Sequence, residues 1–307
     1  MNMFKDLSDV EVRQETITPK SDLDTILDTE AEIIKQYEKD ERIKQYGGKE
    51  QEAYKSLYTT VQEKLTDIKI SPEFLQSYID ARENTQENTQ AIIRGMYSAA
   101  LLEIICTTQP NTGISINGKG KTFNFLFYHI KHARYLVLQN VKGESILKNA
   151  GFPDGSIQHI TLNDITGNWT LFAAGSQDGN MEYITLNNIK GANQLNAIGS
   201  SNGHARYITI KNTKDEHLLT LAGWYNGNAE YVLEEEQLTK KQKRLISQID
   251  KITESIHGLL PDEQQSAHEK IAELQKEIFR KKWQKPFISL FETTKKLFQH
   301  KNKRGET

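Results

Sequence analysis

The stretch MEYITLNNIKG at residues 181–191 is one of a series. The same pattern opens as ARYLVLQNVKG at Ala133, IQHITLNDITG at Ile157 and ARYITIKNTKD at Ala205, each start 24 residues after the last, and a fifth, AEYVL, follows at Ala229. A repeat this short, with one strand per copy, has no apolar face it can bury alone. Neighbouring copies must therefore stack into a solenoid. Within each copy the strand alternates. Leu136 and Leu138, Ile160 and Leu162, Ile184 and Leu186, and Ile208 and Ile210 share one face, expected to point into the coil. The other face carries Tyr135, His159, Tyr183, Tyr207 and Tyr231 in one column and Val137, Thr161, Thr185 and Thr209 in the next. Leu147, Leu171, Leu195 and Leu219 mark a second apolar column, read as a second strand on the next face. Corners carry turn formers: Asn140, Asp164, Asn188 and Asn212, then Asp154-Gly155, Asp178-Gly179, Asn202-Gly203 and Asn226-Gly227, pairs that tolerate positive φ.

Through patterns such as YITLNNIKG and the stacked Asn and Gly corners, residues 109–233 resemble the parallel β-helix or β-solenoid proteins. The resemblance is one of architecture and implies a fold, not an activity. Leucine-rich repeats fit less well, because the Asn expected after the LxxLxL opening is Ile165 in one copy and Val141 or Ile189 in others. The period alone leaves open an antiparallel meander turning at the Gly corners. The expected class is α+β, a short β-solenoid between helical ends.

Outward from the repeat, residues 1–20 have little periodicity, and 21–108 read as helices broken at Gly47-Gly48 and at Ser71-Pro72. Ser71 as N-cap with Pro72 behind it is a helix start. Ala53, Leu57, Val61, Leu65 and Ile68 form one apolar stripe, and Ile92, Ile93, Met96, Tyr97, Ala100, Leu101 and Ile104 another that leads into the repeat and is expected to cover its first coil. Ile114 and Phe123 match core columns, as in a degenerate first coil. Residues 234–283 carry two heptad-like stripes separated at Pro261, a helical hairpin with coiled-coil-like packing. Residues 284–307 close the chain with a basic, aromatic segment.

Composition is that of an ordinary globular chain, 36% hydrophobic and 26% charged with a formal net charge of −2. No apolar run is read as spanning a membrane, no apolar leader is visible, and a lone Cys106 gives no intrachain disulfide. The expected setting is cytoplasmic. The small net charge conceals a gradient: residues 1–110 hold 13 Lys and Arg against 21 Asp and Glu, whereas 240–307 hold 16 against 9.

Candidate chemistry is thin. SINGKGKT at 115–122 looks like a P-loop with its first Gly replaced by Ser, but the aromatic FNFLFY follows where a helix is needed, so it reads as a Gly-rich turn. His129 and His132 lack a supporting ligand set, and His204, in the column of His132, lies three coils away. Asp154 and Asp178 suggest a carboxylate pair, yet the column continues as Asn202 and Asn226, which suits a turn and not acid catalysis. No catalytic residue, metal or cofactor is assigned. Two binding surfaces are. The column Tyr135, His159, Tyr183, Tyr207 and Tyr231 is an aromatic stripe suited to a sugar or a partner helix when open, or to this chain's own helices, above all those before the repeat, when covered. Arg280, Lys281, Lys282, Lys285, Lys295 and Lys296, mixed with aromatics, suit an anionic membrane surface or nucleic acid, or a helix docked on the protein with its cations in water. The expected function is a non-catalytic binding or structural module whose partner is another protein. The alternative is a carbohydrate-active or carbohydrate-binding protein.

Overall fold

A computed structural model describes residues 21–44, 48–82, 88–213, 218–219, 221–224 and 226–280. Helices α1 (Asp22–Tyr37), α2 (Glu41–Lys44), α3 (Gly48–Lys64), α4 (Pro72–Ala81) and α5 (Asn88–Thr108) precede strands β1 (Gly113–Asn117), β2 (His132–Lys142), β3 (Ser156–Thr166), β4 (Asn180–Asn187), β5 (His204–Lys211) and β6 (Asn228–Glu234); α6 (Lys240–Ser255) and α7 (Pro261–Phe279) follow. The sheet runs β1-β2-β3-β4-β5-β6, every pair parallel. This is a β-solenoid, and the parallel ladders exclude the antiparallel meander. His132 pairs with Ser156 and His204 with Asn228, an offset of 24, whereas Gly113 pairs with Tyr135, so the first coil is two residues short.

The inner column Ile114, Leu136, Ile160, Ile184 and Ile208 is buried throughout. Asn140, Asp164, Asn188 and Asn212 adopt φ of 50–55°, as the corners require. The second face differs from expectation: it contains no strand. Ser145, Leu147 and Asn149, then Trp169, Leu171 and Ala173, then Asn193, Leu195 and Ala197 have positive φ at every second position. The alternation turns successive amides to opposite neighbours. Ser145 N–H donates to Asn168 C=O in the next coil, and Leu147 N–H to Leu126 C=O in the previous one. None of these nine residues is β-branched, which fits the steric cost of left-handed backbone. Leu147, Leu171 and Leu195 still point inward and are fully buried.

The N-terminal helices close the β1 end. Ser21 and Asp24 form a capping box on α1, and Ser71 caps α4 with Pro72 at its first position. Leu57, Val61, Met96, Tyr97 and Leu101 join the same core as the coil interior. Gly95 lets α5 lie on the first coil, because a Cβ there would collide with the Phe125 carbonyl oxygen. Contrary to the sequence-based expectation, Thr89–Thr108 is apolar and long enough to cross a membrane by length and composition, with 67% of that window buried inside the protein.

The C-terminal hairpin is placed differently from the N-terminal helices. It does not cover the last coil. Instead α6 and α7 lie across the outer face of the sheet and build a second core there, in which Ile246, Ile249, Ile271, Leu274 and Ile278 meet Val137, Tyr183, Tyr207 and Leu233. Thr239 and Gln242 cap α6, and Glu263 accepts the Leu260 N–H at the start of α7.

Candidate functional site

The outward column is a continuous stack. Ring centroids lie 5.3 Å apart from Tyr135 to His159, 4.9 Å from His159 to Tyr183 and 4.7 Å from Tyr183 to Tyr207, close to the strand spacing that imposes them. Tyr231 continues the register beside Tyr207, and its side chain lies outside the described residues. The helix over this stripe is α7, not one of those before the repeat. Tyr135 is 7% exposed and His159 5%, while Tyr183 and Tyr207 are half-buried against Phe279.

The docking is polar and specific at its centre. Gln275, fully buried, accepts from His159 Nδ1 at 2.7 Å and donates through Nε2 to the Ile160 carbonyl at 3.1 Å and the Thr185 hydroxyl at 3.0 Å. An amide oxygen only accepts, so His159 carries its proton on Nδ1. Towards β1, His268 Nε2 lies 3.0 Å from Ser115 Oγ, and its ring occupies the space a Cβ on Gly113 would need. Gln265 accepts the Gly113 N–H at 2.8 Å. Burial pushes both His159 and His268 down to about 4. Gln265, His268 and Gln275 do not stand out in the sequence. The available signal is a polar residue set among the apolar positions of α7, as Gln275 is between Ile271 and Ile278.

A second polar group joins the helices to the first coil. Tyr128 donates to Glu50 Oε2 at 2.6 Å, His129 Nε2 lies 3.7 Å from the same oxygen, and Asn149 Nδ2 lies 3.3 Å from His129. Burial lowers His129 and raises Glu103 to about 7, where the carboxylate accepts the Lys131 N–H. Glu50 and His129 are almost fully buried and bond to one another's neighbours, which makes the group a joint between α3, α5 and the coil. Burial likewise lifts the Cys106 thiol to about 12, the opposite of a nucleophile's tuning. Lys119 in the Gly-rich turn pairs with Asp80 at 2.7 Å, and no helix follows it. Asp154 and Asp178 hold corner positions with φ of 56° and 62°. Among the described residues, no group of three or more His, Cys, Asp or Glu side chains could hold a metal ion.

The third feature is the far edge of the sheet. Asn228 N–H donates back to the Gly199 and Gly203 carbonyls. The pairing with β5 skips Glu230, where the alternation shifts by one, so Tyr231 and Leu233 bond to β5 and the N–H and C=O of Ala229, Val232 and Glu234 face away from it. Among the described residues no strand lies beyond them. The coil interior thins at this end: Leu219, Leu221 and Ala229 are only half-buried, and Trp224 is 42% exposed. Glu230 and Glu234 lie on β6, Glu234 in register with the inner-column Ile210, and Glu236 follows the strand; Glu230 lies 3.8 Å from Arg206. Of the basic residues assigned from sequence, Arg280 is exposed and pairs with Glu277 at 3.2 Å. Lys281, Lys282, Lys285, Lys295 and Lys296 lie outside the described residues.

Comparison with protein-family models, with curated proteins and with solved structures finds no match for this chain.

Proposed function

We propose that this chain is a non-catalytic interaction module that receives an extended, basic segment of another protein at the outer edge of β6. The observation that carries the reading is the edge itself: the outward N–H and C=O groups of Ala229, Val232 and Glu234 beside half-buried apolar side chains, with Glu230 and Glu234 on the strand and Glu236 just after it. Strand addition takes affinity from main-chain hydrogen bonds and selectivity from what flanks them. A fluorescent peptide of alternating Val and Lys is the probe. Saturable binding that weakens with salt and is lost in the Glu230→Lys, Glu234→Lys double variant supports the reading. Equal binding to that variant overturns it.

A second reading, carbohydrate binding, is supported by Trp169, which is 39% exposed and stands edge-on to Phe172 with ring centroids 5.1 Å apart. Affinity electrophoresis in acidic and neutral polysaccharides tests it: retardation abolished by Trp169→Ala favours this reading, and unretarded migration in every gel removes it.

A further inference from the structure

The path of α7 leads to the open edge. His268 touches β1 and β2 through Ser115 and Tyr135, Gln275 touches β3 and β4 through Ile160 and Thr185, and Phe279 touches β4 and β5 through Tyr183 and Tyr207. Seven residues of helix advance ~10 Å, two strand spacings of ~4.8 Å, so the helix axis crosses the strands and each further turn advances about one strand. The chain leaves the described region at Arg280, one strand short of β6.

The sequence beyond Arg280 is complementary to that edge. Residues 281–307 open with Lys281, Lys282, Trp283, Lys285 and Phe287, cations interleaved with large apolar groups. The last coil carries Glu230 and Glu234 on β6 and Glu236 just after it, together with partly open Leu219, Leu221 and Ala229. A second copy of the chain placed edge to edge would set these glutamates against one another, which disfavours self-association at this surface. We infer that the C-terminal segment 281–307 is the resident occupant of the β6 edge, held by Lys281, Lys282 and Lys285 against the glutamates, and that a basic segment of a partner binds by displacing it. This rests on the reading of β6 as the binding edge and adds its regulation. A competing segment tethered next to the site is present at high effective concentration, so it sets the affinity threshold a partner must exceed.

Amide hydrogen exchange on the full chain tests the inference. In the wild type the outward amides of Ala229, Val232 and Glu234 are expected to exchange at least tenfold more slowly than open amides, independently of protein concentration. In the full-length Lys281→Glu, Lys282→Glu, Lys285→Glu variant that protection is lost, while the inward amides of Tyr231 and Leu233 stay protected and report that β6 is intact. Adding Glu230→Lys and Glu234→Lys to the same variant restores outward protection by exchanging the charges. Outward amides that exchange at the open rate in the wild type overturn the inference, as does protection unaffected by the three substitutions. Protection that grows with concentration alongside a doubled mass assigns the edge to a second copy and overturns it too. The Val-Lys probe separates the two readings: tenfold tighter binding to the triple-Glu variant supports both, equal binding to variant and wild type leaves the edge and removes the resident segment, and no binding to an open edge removes β6 as the partner site.

Discussion

The two ends of the coil are finished differently. At the β1 end, Gln76 on α4 spans the strand edge, accepting the Asn117 N–H at 2.9 Å and donating to the Asn117 carbonyl at 3.1 Å; Gln265 takes the Gly113 N–H, and α5 closes the interior. At the β6 end no described residue does either job. Inside a solenoid every coil is satisfied by its neighbours, so the middle solves itself by repetition, and only the ends require residues that depart from the repeat. The end built from the most irregular sequence is the closed one. The end that keeps the repeat to its last strand is open, and it is there that the capacity to bind is expected.

The largest effect comes from one inner column compared at both ends. Ile114 on β1 and Val232 on β6 occupy equivalent positions, but Ile114 is fully enclosed whereas Val232 sits in the last coil, whose neighbours Leu219 and Ala229 are half-open. Ile114→Ala should cost ~3–4 kcal/mol and Val232→Ala ~1–2 kcal/mol, since part of the Val232 environment relaxes into solvent. Urea midpoints compare them, and equal losses would mean that both ends are closed to the same degree.

The next concerns acid. His159 and His268 have an ordinary pKa of 6.5 when unfolded and about 4 beneath α7. The fold thus favours their neutral forms, so their contribution is complete above pH 6.5 and is lost as pH falls from 6.5 towards 4, at ~1.4 kcal/mol for each pH unit between those two values. Lys276 and Arg134 near His159, and His257 near His268, act in the same direction. Glu103 acts against them. Its pKa of about 7, raised by burial, makes its protonated form the stable one, so its contribution falls as pH rises from 4.5 to 7. His268→Phe should flatten the acid limb of stability by roughly 2–3 kcal/mol between pH 6.5 and 4. An unchanged slope would show that the hairpin is not seated on β1 as described.

Much of this architecture is legible in the sequence. Strands, corners and the inner column follow from a period of 24 that places like residues at like positions, and the degenerate first coil is visible in Ile114 and Phe123. The second face is not, because left-handed positions filled by Ser145, Leu171 or Trp169 carry no composition signature: the hydrogen bonds to neighbouring coils select that backbone, and those are long-range. The aromatic column reads correctly as a stack, but its cover is not the one expected, since amphipathic helices on both sides of the repeat offer similar stripes and only a few polar residues such as Gln275 and His268 decide between them. The open edge is visible as a fifth start at Ala229 with no sixth. Its meaning depends on the hairpin lying on the sheet and leaving the end uncovered.

A smaller effect isolates the cap on β1. Gln76→Ala removes both side-chain partners of Asn117, whose N–H and C=O then depend on water at a part-buried edge, so a loss of ~1–2 kcal/mol is expected together with faster exchange of the Asn117 amide. Removing Glu236, exposed near the β6 edge, should leave stability within ~0.5 kcal/mol. Equal effects would erase the asymmetry between the ends.

The smallest effect tests whether that asymmetry extends into the hairpin. Near β1 and β3 the hairpin is fixed by the buried groups of His268 and Gln275, whereas near β5 its polar tie is the ion pair of Lys211 with Asp250 at 2.8 Å, whose side chains are 24% and 13% exposed. A pair with that access to water contributes ~0.5–1 kcal/mol and is weakened by salt. Asp250→Asn should therefore lower stability by about that amount at low salt and by less at high salt. Its local effect should exceed its global one, because the end of the hairpin nearest β6 has the fewest buried polar partners and opens first. Amides around Ile246 and Ile249 should exchange faster in the variant while those around Ile271 and Leu274 hold. If both groups accelerate together, the hairpin leaves the sheet as one unit, and the difference between the two ends belongs to the coil alone.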